Sequence, residues 1–236
     1  MDMGIVIDFQ TFGTSVKPSP ETNDHEVRLL GDGEDLIARF WEGMIGLDPD
    51  QLLLQPCALI PSTAGHKATI ARCDCGEVGC GNVQVFVRSE DEHVAWVDGD
   101  RTLRFSSSQY LSEIARAQSD TGWETPDRTA GRLVRQRVDR AVLARAGMTF
   151  DWASGRISKG QLTISLRLEP GPYQVLVSIP WKEELPPEIA DVAVAALRRD
   201  PRTWEAVGYF PQGGDLGDPP LSGPGWKLRG RRLTWR

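Results

Sequence analysis

Hydrophobic and polar residues alternate along two separate parts of this chain, and a period of two is typical of strands with one buried face. In the first part, residues 68–72 and 83–88 form the arms of a predicted hairpin, which residues 93–98 and 102–105 continue. The second part covers residues 148–181, where three alternating runs are separated by turns rich in glycine, serine and proline. We therefore predict an antiparallel meander in each part.

A period near 3.6 predicts four longer helices. Residues 34–45, 109–118 and 186–199 each carry an apolar stripe, and the fourth helix runs over residues 125–147. Capping residues and first-turn prolines mark several of the starts. In the second helix we place Leu111 on the buried face, and in the fourth we expect the arginines to be solvated.

Three polar stretches have neither period and are predicted to be irregular. They are residues 14–26, 118–124 and 212–225. The first contains His25, which we expect in solvent, and the second is a candidate linker.

These elements predict an α+β fold with antiparallel meander sheets and flanking helices. The first lobe, residues 1–120, is a helix plus an antiparallel meander with a cysteine-rich hairpin. The second lobe, residues 121–236, is helix, three strands and helix, followed by a basic C-terminal tail. The two lobes either fold independently or share one core.

Composition narrows the class of protein. Hydrophobic residues make up 40% of the chain, which is enough to bury a core, and the net charge is −6. A protein this acidic is not a typical nucleic-acid binder, and its charge suits a basic partner. We find no signal peptide and no apolar run of the roughly 20 residues that span a membrane. We therefore expect a cytoplasmic protein with reduced cysteines.

Three of the four cysteines lie within eight residues, in the turn of the first predicted hairpin. Cys73, Cys75 and Cys80 have the spacing C-x-C-x4-C, and thiolates this close together suit a soft tetrahedral ion such as Zn²⁺. A closed site needs a fourth ligand, for which Cys57 is the first candidate and His66 the second. We therefore predict a structural zinc site of Cys57, Cys73, Cys75 and Cys80, with Gly76, Gly79 and Gly81 providing positive φ angles in the turn.

Two other interpretations of these cysteines stay open. They are either reduced thiols that flank a turn, or Cys73 and Cys75 form a redox pair. Redox pairs more often have the pattern C-x-x-C at the start of a helix, and no helix is predicted after Cys75. A catalytic pair of His66 with Cys73 or Cys80 is a weaker alternative.

The segment around this hairpin resembles a group of uncharacterised bacterial proteins. They share a C-x-C-G-x-x-x-C hairpin, a strand that ends near a tryptophan, the motif F-x-x-x-Q-Y and a helix. The matching residues are Cys73, Cys75, Gly76, Cys80, Trp96, Phe105, Gln109 and Tyr110. The resemblance covers about residues 70–115 and implies a shared module without a known activity.

No nucleophile elbow, Walker loop, HExxH or dinucleotide motif is present, so the chain leans toward a non-catalytic role. We predict a cytoplasmic interaction or regulatory protein, for example a toxin-immunity protein, because acidic surfaces bind basic partners. One alternative is a thiol-redox or Cys-dependent enzyme. Another is nucleic-acid binding through the arginines of residues 128–145 and the basic tail, residues 226–236. For the tail, stacking on bases competes with packing on its own fold and with adding an edge strand, and the negative net charge favours packing on the fold.

Overall fold

The computed structural model describes residues 4–19, 22–54, 56–75, 80–169, 173–211 and 217–229. The chain divides into two compact units, Met1–Trp123 and Glu124–Arg236. The helices and the mixed and antiparallel sheets of these ranges confirm the α+β class. None of the helices in this part of the chain combines the length and apolar character that a membrane crossing requires.

The first unit contains two sheets and three helices in its described residues. The strands are β1 (Ile5–Phe9), β2 (Phe12–Ser19), β3 (Asp24–Gly31), β4 (Glu34–Asp35), β5 (Met44–Gly46), β6 (His66–Cys73), β7 (Asn82–Glu90), β8 (His93–Asp98) and β9 (Arg101–Ser106). The helices are α1 (Leu36–Phe40), α2 (Pro49–Leu52) and α3 (Ser107–Ser119). One sheet has the order β1-β9-β8-β7-β6-β5 and the other β2-β3-β4. Strands β6 to β9 are successive antiparallel neighbours, which confirms the first predicted meander.

The predicted loop at residues 14–26 is wrong, because most of it belongs to the antiparallel hairpin β2–β3. Alternate residues of β3, namely His25, Val27 and Leu29, are buried. Thr14 and His25 occupy buried positions in place of apolar residues, and this hid the period of two. Pro18 is tolerated because β2 lies at the edge of its sheet, where a missing N–H breaks no ladder. His25 is only 3% exposed, so its predicted position in solvent is also wrong.

The helix predicted over residues 34–45 is shorter than expected. Asp35 caps α1 by accepting hydrogen bonds from the N–H groups of Ile37 and Ala38. The helix ends at Phe40, Gly43 has a positive φ of 73°, and the chain then enters β5 beside β6. Its apolar residues therefore serve a helix and a strand, although their spacing fits one long helix.

The helix predicted over residues 109–118 is confirmed as α3. Tyr110 and Ile114 lie on its buried face, as expected. Leu111 is 43% exposed, so its predicted place on that face is wrong.

Aromatic side chains form the centre of the first unit. Phe12, Trp96, Phe105 and Tyr110 are each 0–1% exposed, and every pair of their rings is in contact. The Tyr110 hydroxyl donates to the carbonyl of Leu59 at 2.8 Å and accepts from the Trp96 indole N–H at 3.1 Å. The polar groups of these two aromatic side chains are therefore paired, as a close-packed interior requires.

The second unit is built on one five-stranded sheet in its described residues. The strands are β10 (Met148–Ser154), β11 (Gln161–Leu168), β12 (Tyr173–Pro180), β13 (Val207–Pro211) and β14 (Trp226–Leu228), in that spatial order. The helices are α4 (Pro126–Arg137), α5 (Arg140–Arg145) and α6 (Pro186–Leu197). The second meander, β10 to β12, and the helix at α6 are confirmed.

Three details of the second unit differ from the predictions. The helix expected over residues 125–147 is broken between α4 and α5, where Asp139 caps the second piece. Asp200 and Pro201 predict the start of a short helix that carries Trp204 and Val207, but Trp204 follows a short 3-10 turn and Val207 begins β13. Alternation along residues 148–152 predicts that Asp151 faces water, but it lies in a bulge of β10 and accepts hydrogen bonds from Ser165 and Arg167.

Candidate metal centre

The two strands of the hairpin β6–β7 stay paired up to its cysteine end, which we call the neck of the hairpin. Arg72 pairs with Asn82 across the hairpin, and the Cys73 N–H donates to the Gly81 carbonyl at 3.0 Å. This bond fixes the two ends of the turn, because Cys73 is the last residue of β6 and Cys80 precedes Gly81. Gly76 and Gly79, which were expected to shape the turn, lie outside the described residues.

The structure brings three of the four predicted ligands together. The sulfur atoms of Cys73, Cys75 and Cys80 all lie within 4.8 Å of one another. Tetrahedral zinc with Zn–S bonds of about 2.3 Å needs sulfur atoms about 3.8 Å apart, so a small closing movement would fit the ion. Cys73 is half-buried and the other two are exposed. We call these three residues the cysteine neck.

Electrostatics in the cysteine neck favour a cation. Hydrogen bonds with Cys75 and Cys73, together with the charges of those two groups, raise the pKa of the Cys80 thiol to about 11. Three neighbouring thiols do not all ionise easily when no positive charge lies beside them, because the resulting thiolates repel one another. A bound cation removes this cost, because metal ligation deprotonates thiols outright.

Cys57 is not a member of this group. It lies in the hydrophobic core, 7% exposed, and its thiol donates to the Leu52 carbonyl at 3.3 Å. Burial raises the pKa of its thiol. Cys57 therefore packs as a small apolar side chain, and the predicted four-cysteine set reduces to three cysteines in this structure.

His66 lies at the opposite end of β6 from the cysteine neck. Cys73 lies seven positions further along the strand, a span of roughly 23 Å at about 3.3 Å per residue. Its Nε2 donates to the Ala58 carbonyl at 2.8 Å. His66 is therefore neither a fourth ligand nor the base of a Cys–His pair in this arrangement.

Two residues beside the cysteine neck were not expected from the sequence. Asp74 accepts from the Cys73 thiol at 3.6 Å, yet its carboxylate is not within 4.8 Å of all three sulfur atoms. Met44 is the direct partner of Cys73 across β5 and β6. No signal in the sequence pointed to Met44, because the apolar pattern assigned it to a helix.

Gly81 has a different role from the one expected. It is described, and it is not among the glycines with positive φ, so the expected positive φ is wrong. A Cβ placed there would contact the Met44 methyl carbon at 3.5 Å and the Cys73 Cβ at 3.9 Å. Both distances are ordinary van der Waals contacts, so Gly81 lies close to the Met44 methyl carbon and to Cys73.

Several arginines of the second unit are buried in that unit or form ion pairs with its carboxylates. Arg128 is 4% exposed, contrary to the expectation of a solvated arginine. Arg132 pairs with Glu124 at 2.6 Å and Arg137 with Asp191 at 2.6 Å. In the tail, residues 226–228 add β14 in parallel to β13, and residues 230–236 lie outside the described part of the chain.

Comparisons of the whole chain with protein-family models, with curated proteins and with solved structures found no match.

Proposed function

We propose that the protein is a non-catalytic interaction protein in which Cys73, Cys75 and Cys80 bind a thiophilic metal ion. The observation that carries the proposal is the convergence of three thiols within 4.8 Å at the neck of one hairpin. Zn²⁺ is the first candidate, because thiolates are its preferred structural ligands.

The metal would act by joining the two ends of the turn. Cys73 and Cys75 lie on one side of it and Cys80 on the other, so the ion would link β6 to the start of β7. Metal-binding free energy is then available to the folded hairpin, because the unfolded chain has no preformed site. An ordered turn at the end of the sheet would present a fixed surface to a partner.

The acidic net charge supports a basic protein partner, and a toxin-immunity or regulatory binder is the class we favour. Complementary charge mainly accelerates and selects association. The resemblance to uncharacterised bacterial proteins adds no activity to this proposal.

Two alternatives have less support. A thiol enzyme needs a nucleophile with a lowered pKa, but the pKa of Cys80 is raised and His66 is distant. Nucleic-acid binding needs free basic side chains, but Arg132 and Arg137 are paired with carboxylates of the second unit.

Metal content tests the proposal directly. Protein purified without added metal is analysed for bound metals, and its reactive thiols are counted before and after chelation. We expect about one thiophilic ion per chain, three thiols that become reactive on chelation, and loss of the ion in Cys80→Ser. Cys57→Ser is the matched control and should keep the ion. A metal-free protein that binds no added Zn²⁺ or Cu⁺ would contradict the proposal.

The partner is tested by capture with wild-type protein and with Cys80→Ser. We expect a basic partner that is retained in a stoichiometric amount by the metal-loaded wild type and released by salt. Equal capture of the partner by wild type and by Cys80→Ser would show that partner binding does not depend on the metal. The absence of any stoichiometric partner would count against the interaction role.

A further inference from the structure

Met44 lies directly opposite Cys73 on the neighbouring strand, and this pairing bears on which ion the cysteine neck holds. Met44 and Cys73 are direct partners in the antiparallel pair β5–β6. Directly opposed residues of an antiparallel pair place their side chains on the same face, with Cβ atoms about 4.5–5.5 Å apart. The methionine therefore begins beside the first ligand of the site.

Its far end reaches the other strand of the hairpin. The methyl carbon of Met44 is 3.5 Å from the point where Gly81 would carry a Cβ, and the Cβ of Cys73 is 3.9 Å from the same point. The side chain thus spans β6 from β5 to the start of β7, and its thioether lies between its Cβ beside Cys73 and its methyl carbon beside Gly81. Gly81 comes directly after Cys80, so the methionine lies beside one ligand, Cys73, and beside the residue that follows another.

The other donors near the cysteine neck are poorly placed. Among the described residues, no carboxylate or imidazole lies within 4.8 Å of all three sulfur atoms. Cys57 and His66 have their own carbonyl partners elsewhere. Asp74 accepts from the Cys73 thiol at 3.6 Å, but it is not within 4.8 Å of all three sulfur atoms. Met44 is the soft donor that strand pairing brings beside Cys73.

A thioether changes the preference of the site. Zinc sites use thiolate, imidazole and carboxylate ligands. Soft thiolate and thioether donors together suit Cu⁺. A neutral thioether also adds no negative charge to three thiolates that already repel one another.

We propose that the thioether of Met44 completes the site as a fourth ligand and that the cysteine neck takes Cu⁺ in preference to Zn²⁺. This inference rests on the proposed function, because it requires that the three cysteines bind a metal. It names the fourth ligand and the ion.

Competition titrations under anaerobic conditions test the inference. Cu⁺ and Zn²⁺ affinities of metal-free protein are measured against a chromogenic chelator for each ion, for wild type, Met44→Leu and Met148→Leu. Leucine keeps the volume of methionine and removes the sulfur. Met148 is buried in the second unit, which makes its replacement the matched control.

We expect Met44→Leu to weaken Cu⁺ binding about tenfold, the lower end of the effect of removing a supporting group from a metal site. Its Zn²⁺ affinity should stay within about twofold of wild type, and Met148→Leu should leave both affinities unchanged. An unchanged Cu⁺ affinity, or an equal loss for both ions, would overturn the inference and make Met44 a packing residue.

A second measurement needs no variant. Wild-type protein with its methionines replaced by selenomethionine is loaded with Cu⁺, and X-ray absorption at the selenium edge reports whether a copper neighbour is present. A selenium–copper contact supports the inference, and its absence overturns it. If wild type binds Zn²⁺ but shows no such contact, the proposed function survives and only this inference fails. If it binds neither ion, both fail.

Discussion

The four cysteines of the first unit occupy two regions that give the same side chain opposite properties. Cys57 lies in the core near the aromatic centre, where it donates to a carbonyl and is 7% exposed. The cysteine neck holds three thiols within 4.8 Å at the end of a hairpin, and two of them are exposed. Burial raises the pKa of Cys57, whereas neighbouring thiols raise that of Cys80.

The contrast shows that a raised thiol pKa has two physical meanings. In the core, the raised pKa reflects the loss of water around a single buried thiol, Cys57. In the cysteine neck it reflects sulfur atoms packed against one another, which a cation would relieve. Only the second situation favours metal binding. The core and the cysteine neck should therefore respond independently to substitutions and to added metal.

The largest effect should come from the core. Trp96→Ala removes a fully buried indole that contacts three aromatic rings. We expect a loss of about 3–5 kcal/mol in the free energy of unfolding of the first unit. The loss is measured by denaturant titration, with hydrogen exchange of the amides of the first unit as the probe of its unfolding. Leu111→Ala, at an exposed position of α3, is the control and should cost far less.

The next effect should come from the cysteine neck. A metal at a hundred times its dissociation constant stabilises the folded state by about 2.7 kcal/mol when the unfolded chain does not bind it. We expect this gain in wild type and in Cys57→Ser, but not in Cys80→Ser, in denaturant titrations with and without the ion. A gain that persists in Cys80→Ser would place the binding site elsewhere.

Tyr110→Phe tests whether the core can open locally while the cysteine neck stays folded. It leaves the Leu59 carbonyl and the Trp96 indole N–H without the hydroxyl that pairs them. We expect a cost of about 1–3 kcal/mol, because buried polar groups lose their partner. Local opening of this core should also speed alkylation of Cys57 by iodoacetamide. Faster labelling of all four cysteines would show instead that the core and the cysteine neck unfold together.

The regular parts of the two larger sheets could be predicted from the sequence. In β6 to β9 and in β10 to β12, apolar residues recur at alternate positions, so a period of two is visible. The hairpin β2–β3 was missed because Thr14 and His25, which are polar, occupy buried positions of its strands. Histidine gives no sign in the sequence of whether its ring is in solvent or in a core.

The candidate site was predictable only where its ligands are close in sequence. The spacing of Cys73, Cys75 and Cys80 predicted their convergence, because a hairpin turn keeps neighbours together. The proposed fourth ligand depends on strand pairing between residues that are far apart in sequence. The pairing of β5 with β6 brings Met44 to Cys73, whereas Cys57 enters the core. A helical apolar pattern around Met44 hid that pairing.

The smallest predicted effect concerns Glu113 of α3, which joins the helix to β2. Its carboxylate accepts from the Thr14 N–H at 2.7 Å, from the Thr14 hydroxyl at 2.6 Å and from Arg116 at 2.7 Å. Burial by itself would raise the pKa of Glu113, but the hydrogen bonds from Arg116 and Thr14 outweigh it and lower the pKa below its ordinary value of 4.5. The folded state therefore binds this proton less readily than the unfolded chain does.

The sign of the pH dependence follows from that lowering. The stabilisation by ionised Glu113 is complete above the pKa of the unfolded chain, near 4.5, and is lost as the pH falls through the lower folded pKa. We expect Glu113→Gln to cost about 1 kcal/mol at pH 7 and less at pH 3, in urea titrations of metal-free protein. Glu34→Gln, at a carboxylate whose side chain is 59% exposed, is the control and should change stability by no more than about 0.5 kcal/mol. A cost for Glu113→Gln that is equal at both pH values would show that its hydrogen bonds do not require the charge. Because this contact joins α3 to β2 and not to the strands of the cysteine neck, it should leave the metal affinity of the cysteine neck unchanged.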